Sequence, residues 1–233
     1  SPVTTIDGLL IWFETTSGKS FKQESMDNGN QINTWYDLTG NYNSIQNTSS
    51  SQPIYATSAI NGLPAARFDG INDFLNFDGS MLVGSNYTIF IVEKRSSNKS
   101  GNYFIGGNNN ATNSNLYLGY NSDTLIIHGH YNNNYTVAVA AYINFIPRIH
   151  IFNHDSFGGK KYYQNGSNLA TSANNSPLIN FNEAGIGRMV DGAANNYYQG
   201  DIGEIIIFNR TLKDLERRDI ESYLSKKWSI KIS

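Results

Sequence analysis

The sequence predicts an all-β fold: a two-sheet antiparallel jelly-roll sandwich closed by a short C-terminal α-helix. Three observations predict it. About a dozen short apolar runs of strand length are separated by Asn- and Gly-containing turns. Helical periodicity is confined to the end of the chain, where Leu212, Leu215, Ile220, Tyr223, Leu224 and Trp228 fall close to one helical face. The 233 residues include 32 Asn, 21 Gly and 15 Tyr, a mixture that supplies turns and strands together.

The elements follow in order. Leu9–Phe13 reads as the first strand after the Asp7-Gly8 turn, and residues 18–33 read as a polar loop. Thr34–Asp37 precedes a Gly40-Asn41 turn. Ala65–Phe68 and Phe74–Phe77 read as strands joined by a hairpin connection over Asp69–Asp73. Tyr87–Glu93 is a strong strand; Tyr103–Ile105, Leu116–Tyr120, Thr124–His130, Thr136–Ala140 and Arg148–Asn153 follow. Lys161–Gln164 and Ser167–Ala170 flank Asn165-Gly166, a two-residue type I′ hairpin signal. Glu183–Arg188 and Asp201–Phe208 complete the set, and Thr211 with Asp214 predicts a capping box for the final helix. No repeat or linker divides the chain, so residues 1–233 read as a single domain.

Composition bounds the function. A net charge of -2 leaves no basic face for a nucleic-acid backbone. The absence of cysteine excludes a disulfide scaffold and Cys-ligated zinc. No run of 18 apolar residues predicts direct membrane insertion, and Ser1–Thr5 reads as the edge of a processed segment of a larger polypeptide.

An ordered set of motifs spans the chain: Leu10-Ile11-Trp12-Phe13-Glu14, Trp35-Tyr36-Asp37-Leu38-Thr39-Gly40-Asn41, Gln52-Pro53-Ile54-Tyr55, Ile60–Gly70, Asn72–Leu75, Tyr163–Gly166 and the closing block Gly200–Trp228. In this order they resemble laminin-G-like domains of the concanavalin A-like lectin/glucanase superfamily, especially modules of bacterial surface proteins. The resemblance implies a concanavalin A-like sandwich, and it leaves lectin, adhesion, glycosidase and lyase functions open.

A glucanase of that superfamily needs carboxylates alternating along one strand face, and no such run exists here. Asp201 and Glu204 stand three apart and are expected on opposite faces, while Glu216, Asp219 and Glu221 read as solvent-facing helix charges. Arg148-Ile149-His150 is faintly similar to the histidine strand of alginate lyases, without their companion signatures. The chain is therefore expected not to be an enzyme, with a polysaccharide lyase or glycoside hydrolase as the rival reading. The resemblance also allows a structural calcium ion. Asp69, Asn72 and Asp73 lie in one turn and Glu204 is placed to approach it; the plainer reading is Asx-turns, with Glu204 paired to an arginine.

A glycan site needs aromatic faces for the sugar ring and planar amides for its hydroxyls. Both are interleaved in three segments, which give the candidates Asn109, Tyr117, Tyr131, Asn133, Tyr135, Asn195 and Tyr197, and His128, His130 and Arg188 complete the candidate set. The histidines are expected to be exposed strand or loop residues facing such a groove. Trp12, Trp35 and Trp228 are expected in the core. These features make the leading expectation a non-catalytic, extracellular, lectin-like adhesion module of a larger bacterial surface or pilus protein, binding glycans on host or microbial surfaces. The alternatives are an enzyme-associated carbohydrate module and a protein-binding or structural module such as a phage fibre tip.

Overall fold

The computed structural model describes residues 1–21, 26–139, 143–191 and 194–233. Its strands are β1 (Leu9–Glu14), β2 (Thr34–Trp35), β3 (Ser44–Ile45), β4 (Ile54–Ile60), β5 (Leu63–Asp69), β6 (Leu75–Phe77), β7 (Tyr87–Arg95), β8 (Asn102–Gly106), β9 (Leu116–Ser122), β10 (Leu125–His130), β11 (Asn133–Ala138), β12 (Arg148–Asp155), β13 (Gly159–Gln164), β14 (Ser167–Ser172), β15 (Ala184–Ile186), β16 (Arg188–Asp191), β17 (Ala194–Tyr197) and β18 (Gln199–Phe208), followed by helix α1 (Asp214–Trp228). The predicted strand at Thr136–Ala140 appears as β11; Ala140 lies outside the described residues.

Two eight-stranded antiparallel sheets stack face to face. The back sheet runs β14-β13-β12-β7-β18-β5-β4, with β1 also paired to β18; the front sheet runs β11-β10-β9-β8-β15-β6-β3-β2. Residues alternate along each strand, so one set fills the space between the sheets. Phe13, Trp35, Phe68, Ile89, Ile91, Phe104, Leu118, Ile126, Ile186, Ile205 and Ile207 belong to that core.

The back sheet is apolar on both faces. Ile206 and Phe208 of β18, with Phe90, Val92, Ile149 and Ile151, point outward and are covered by Ile220, Leu224 and Trp228 of α1. Burying each such large side chain stabilises the fold by about 1.5–3 kcal/mol. Leu215, expected on that face, points away and is 78% exposed. The helix begins at Asp214, later than the sequence predicts. Lys213 is its N-cap, and its amide donates to Glu216 Oε2 at 2.8 Å. Thr211 instead donates to Asp155 Oδ2 at 2.9 Å, tying the incoming chain to β12.

Two further expectations change. The Asp69–Asp73 segment joins β5 in the back sheet to β6 in the front sheet, so it is a corner between layers and not a hairpin. Asp201 and Glu204 share a face. A β-bulge at Gly203 interrupts the β18–β7 register, and one extra residue restores parity between positions three apart. At that bulge β18 exchanges partners, from β5 over Gln199–Ile202 to β1 over Glu204–Phe208. A Cβ on Gly203 would lie 2.4 Å from the Trp228 ring.

Glu204 is buried there. Its carboxylate accepts from Trp12 Nε1 at 2.7 Å, Trp228 Nε1 at 2.7 Å and Tyr223 OH at 3.0 Å. Lys227 Nζ lies 2.8 Å from both Glu204 and Glu14, its register neighbour on β1. Lys227 is therefore the partner of Glu204, in place of the expected arginine. Burial raises the Glu204 pKa, against the opposing pull of Lys227. Glu221 is also buried, with Arg217 Nη1 at 2.6 Å, rather than solvent-facing.

Lys227→Met would leave two buried carboxylates without their shared cation. It is expected to lower stability by roughly 3–5 kcal/mol in urea unfolding, and adding Glu14→Gln and Glu204→Gln should recover part of that loss.

Candidate functional site

A pocket of about 430 Å³ opens beside β12, β13 and Thr211, and a larger groove lies on the outer face of the front sheet. The β16–β17 ribbon crosses it, with Met189 packed so closely on Gly106 that a Cβ there would come 2.4 Å from Met189 Cβ. Val190 N donates to Gly107 O at 2.9 Å and Gly187 N to Phe104 O at 2.7 Å, fixing the ribbon to β8. On one side lies a small aromatic cluster of Tyr103, Tyr117, Ile127, Met189 and Tyr131.

On the other side lies a groove of about 660 Å³, lined by Asn43, Ile45, Asn47, Asn76, Asn182, Glu183 and Arg188 among others. Strand alternation builds it. Leu75 and Phe77 turn into the core, so Asn76 between them faces out; Ile45 of β3 is likewise 43% exposed while Ser44 is buried. Gly185 stands opposite both Asn76 and Gly106, keeping the β15 floor free of side chains.

Arg188 forms a wall. Its Nη2 donates to Asn76 Oδ1 at 3.2 Å, and its guanidinium lies 3.8 Å from the centroid of the Phe74 ring. Tyr197 packs against the same ring at 6.2 Å. Burial lowers the pKa of Arg188, and the nearby Glu183 opposes that shift. Glu183 accepts from Asn108 Nδ2, and no carboxylate is ion-paired to Arg188 among the described residues. The arrangement offers amide donors and acceptors, one cation and a limited apolar surface, a set suited to hydrogen-bonding a polyhydroxylated ligand.

The expected glycan residues do not form one site. Arg188 lines the groove, and Tyr197, its register partner, packs against the Phe74 ring. Asn195 lies in β17 opposite Val190; its side chain, and Gly192 and Ala193 of the same segment, lie outside the described residues. Asn109 accepts from the Ala111 amide in an Asx-turn at 3.0 Å. Tyr117 is buried and donates to Asn134, while Tyr131 packs on its ring at 6.4 Å. Asn133 donates to Asn113 Oδ1 at 2.6 Å, and Tyr135 packs partly buried against the main core.

His128 and His130 are corrected outright. Both are fully buried between the sheets, where each Nε2 lies 2.7 Å from Tyr87 OH. Strand β10 is apolar on both faces, Ile126 inward and Ile127 outward, so its sequence did not reveal which face carries the histidines. His150 and His154 are buried too. His150 Nε2 donates to Glu93 Oε1 at 2.8 Å; the same carboxylate accepts from Tyr120 OH at 2.6 Å and Tyr198 OH at 2.5 Å. Burial raises the Glu93 pKa, but His150 and the tyrosines overcome that and hold it below the ordinary value. The similarity of Arg148–His150 to a lyase strand thus ends in a histidine with no exposed surface.

The expected cation ligands are not gathered either. Asp69 Oδ1 accepts from the amides of Ile71, Asn72 and Asp73 at 2.8, 3.1 and 3.3 Å, and Asp73 Oδ2 from the Asp69 amide at 2.9 Å. These are Asx-turn bonds. Glu204 lies five residues along β18 from Gln199, the register partner of Asp69, about 16 Å away by strand rise. Among the described residues no three His, Cys, Asp or Glu are grouped to hold a metal ion. The donor set does not fit calcium.

Sequence reasoning missed Asn43, Ile45, Asn47, Asn76 and Asn182. The polar position inside Leu75-Asn76-Phe77 was the one available signal.

Neither a family model nor a curated protein matches the chain. Solved structures do match it in fold. Trypanosoma rangeli sialidase superimposes over 98% of this chain with a TM-score of 0.66 and 14% identity, and the chain spans 34% of that protein's length. Domain 4 of AbnA, a GH43 extracellular arabinanase from Geobacillus stearothermophilus in complex with arabinotriose, matches with a TM-score of 0.63 and 16% identity, covering 91% of this chain and 98% of that one. Botulinum neurotoxin type C, whose cell entry depends on two ganglioside molecules, matches at 0.57 and 15% over 94% of this chain and 51% of that one. The fold is that of β-sandwiches found in carbohydrate-binding and glycan-processing proteins. The expectation that the chain is not an enzyme is overturned, because sialidases and an arabinanase domain stand among the structures it matches.

Burial, and then the charge of Asp69, push the Asp73 carboxyl up to about 6. Its folded value exceeds the unfolded one, so the ionised group costs stability above pH 6, and that cost disappears as pH falls towards 4. Asp73→Asn is expected to raise the melting temperature by about 2–4 °C at pH 8 and to leave it unchanged at pH 4. Calcium or a chelator should move neither melt.

Proposed function

We propose that the chain is a glycan-binding module whose site is the groove on the outer face of the front sheet. The single observation that carries this reading is the groove's composition: four asparagine amides and the Arg188 guanidinium converge on an open space of about 660 Å³, within the size range of small-ligand sites. Paired amide donors and acceptors match vicinal hydroxyl groups. Phe74 packs against both Arg188 and Tyr197, which stiffens that wall.

Such a site binds each ligand shallowly, and multivalent display would raise its avidity. This suits a laminin-G-like adhesion module on the outside of a cell, carried by a larger bacterial surface or pilus protein and contacting glycans of a host or a neighbouring microbe. A second reading, a module attached to a carbohydrate-active enzyme, is favoured by the likeness in size to an arabinanase domain, of which the match covers 98%.

A glycan array followed by titration calorimetry tests the assignment. Arg188→Ala and Asn76→Ala are each expected to weaken binding about 10-fold or more, while Tyr135→Phe, outside the groove, leaves it unchanged. Binding untouched by both groove substitutions, or no glycan bound at all, would remove the proposal.

A further inference from the structure

The interior of the sandwich holds a second polar cluster that the groove does not use. Tyr87 of β7 lies between the sheets with His128 and His130 of β10 across from it. His154 of β12 stacks on the Tyr87 ring at 5.3 Å and lies 4.8 Å from the His130 ring. Lys160 of β13, fully buried, donates to Asn133 O on β11 at 2.8 Å. His130 Nδ1 is 2.8 Å from Ser176 O.

These contacts fix the proton order. A carbonyl only accepts, so His130 carries its proton on Nδ1 and its Nε2 accepts from Tyr87 OH. His128 Nε2 then donates to the Tyr87 oxygen, which leaves His128 Nδ1 bare; that atom is buried without a partner. Each imidazole is neutral, and each added proton breaks the chain. A proton on His128 Nδ1 meets no acceptor, and one on His130 Nε2 opposes the Tyr87 hydroxyl hydrogen.

The carboxylate that acts on the cluster is Asp155, whose charge interacts with that of a protonated His154. Asp155, the neighbour of His154, turns outward to the amides of Phe157 and Gly158 and to Thr211. Glu93 is engaged by His150, Tyr120 and Tyr198 on the far side of Phe152.

We propose that this cluster is a pH-sensitive latch: Tyr87, His128, His130, His154 and Lys160 hold the β10–β11 edge of the front sheet to β7, β12 and β13 while the imidazoles are neutral, and release that edge when they are protonated. Burial first, then the charges of Lys160 and the neighbouring imidazoles, hold His128 and His130 well below the ordinary histidine value, and His154 is lowered by burial and Lys160. The unfolded chain therefore takes up protons first as pH falls below about 6.5, and stability is lost progressively from there. Lys160, brought down by burial to about 7, works in the same direction, favouring the fold as pH rises from 7 towards 10. The released edge carries Asn133 and the Tyr131-Asn132 turn, so acid would remodel a surface outside the groove.

The intact chain tests this by histidine-ring NMR titration and amide hydrogen exchange at pH 7.5 and 5.5. The expected result is a melting temperature lower by about 5–10 °C at pH 5.5. Exchange protection should fall first in β10, β11 and β12 while β1, β18 and α1 keep theirs. Lys160→Met should shrink the acid-induced loss; if that variant does not fold, the wild-type exchange pattern decides. Histidines titrating near 6.5 with unchanged protection, or a uniform loss across both sheets, would overturn the latch.

Discussion

The structure depends on one constraint: the back sheet must be dry on both faces. Strand β18 carries Ile202, Ile205 and Ile207 inward and Ile206 and Phe208 outward, so a sheet in water on one side would expose large apolar side chains. Helix α1 removes that exposure. Its docking is specified by Glu204, whose four donors come from β1 and from α1 itself. A buried carboxylate is costly unless satisfied, so it penalises any other helix placement more than an apolar residue would. The Gly203 bulge makes the arrangement possible, because it turns Glu204 outward and leaves room for the Trp228 ring.

Helix α1 covers part of the back sheet and the space between the sheets is filled, while the groove opens on the outer face of the front sheet. There the β16–β17 ribbon covers β8 and leaves the β3–β6–β15 end open. The groove is therefore a consequence of layering as much as of its own residues. The same layering explains why so many amides and phenols are unavailable: those of Tyr117, Asn133 and Tyr135 are occupied in packing the ribbon side and the latch edge.

Much of the architecture was legible because its signals are local. The Asn165-Gly166 turn, both residues at positive φ, joins β13 to β14 as its dipeptide predicts. The core positions of Trp35 and Trp228 and the terminal helix also follow from pattern. Face assignment was not legible wherever both faces are apolar or a bulge intervenes. Period-2 reasoning placed Asp201 and Glu204 apart and His128 and His130 outside; a single inserted residue defeats the first, and the paired Ile126 and Ile127 defeat the second. The Asp69–Asp73 segment has hairpin composition, yet whether its flanking strands share a sheet is decided by long-range pairing. The groove escaped because its asparagines come from three separate segments that only the front sheet brings together.

The polar interior bears on how such a sandwich can stay specific while most inward positions on β7, β10 and β12 are not hydrocarbon. In the Glu93 network both carboxylate oxygens are hydrogen-bonded, Oε1 by His150 and Tyr120 and Oε2 by Tyr198. In the Tyr87 cluster the bonds of Tyr87 to His128 and His130 close in one tautomeric order only, and His128 Nδ1 is left buried without a partner. Two buried networks of similar size, separated by Phe152, therefore differ in kind: one sets the register of the sheets, and the other makes their contact conditional on the medium. The groove lies on the opposite flank of the front sheet from the second network, so ligand contact and acid response are carried by different strands of the same layer.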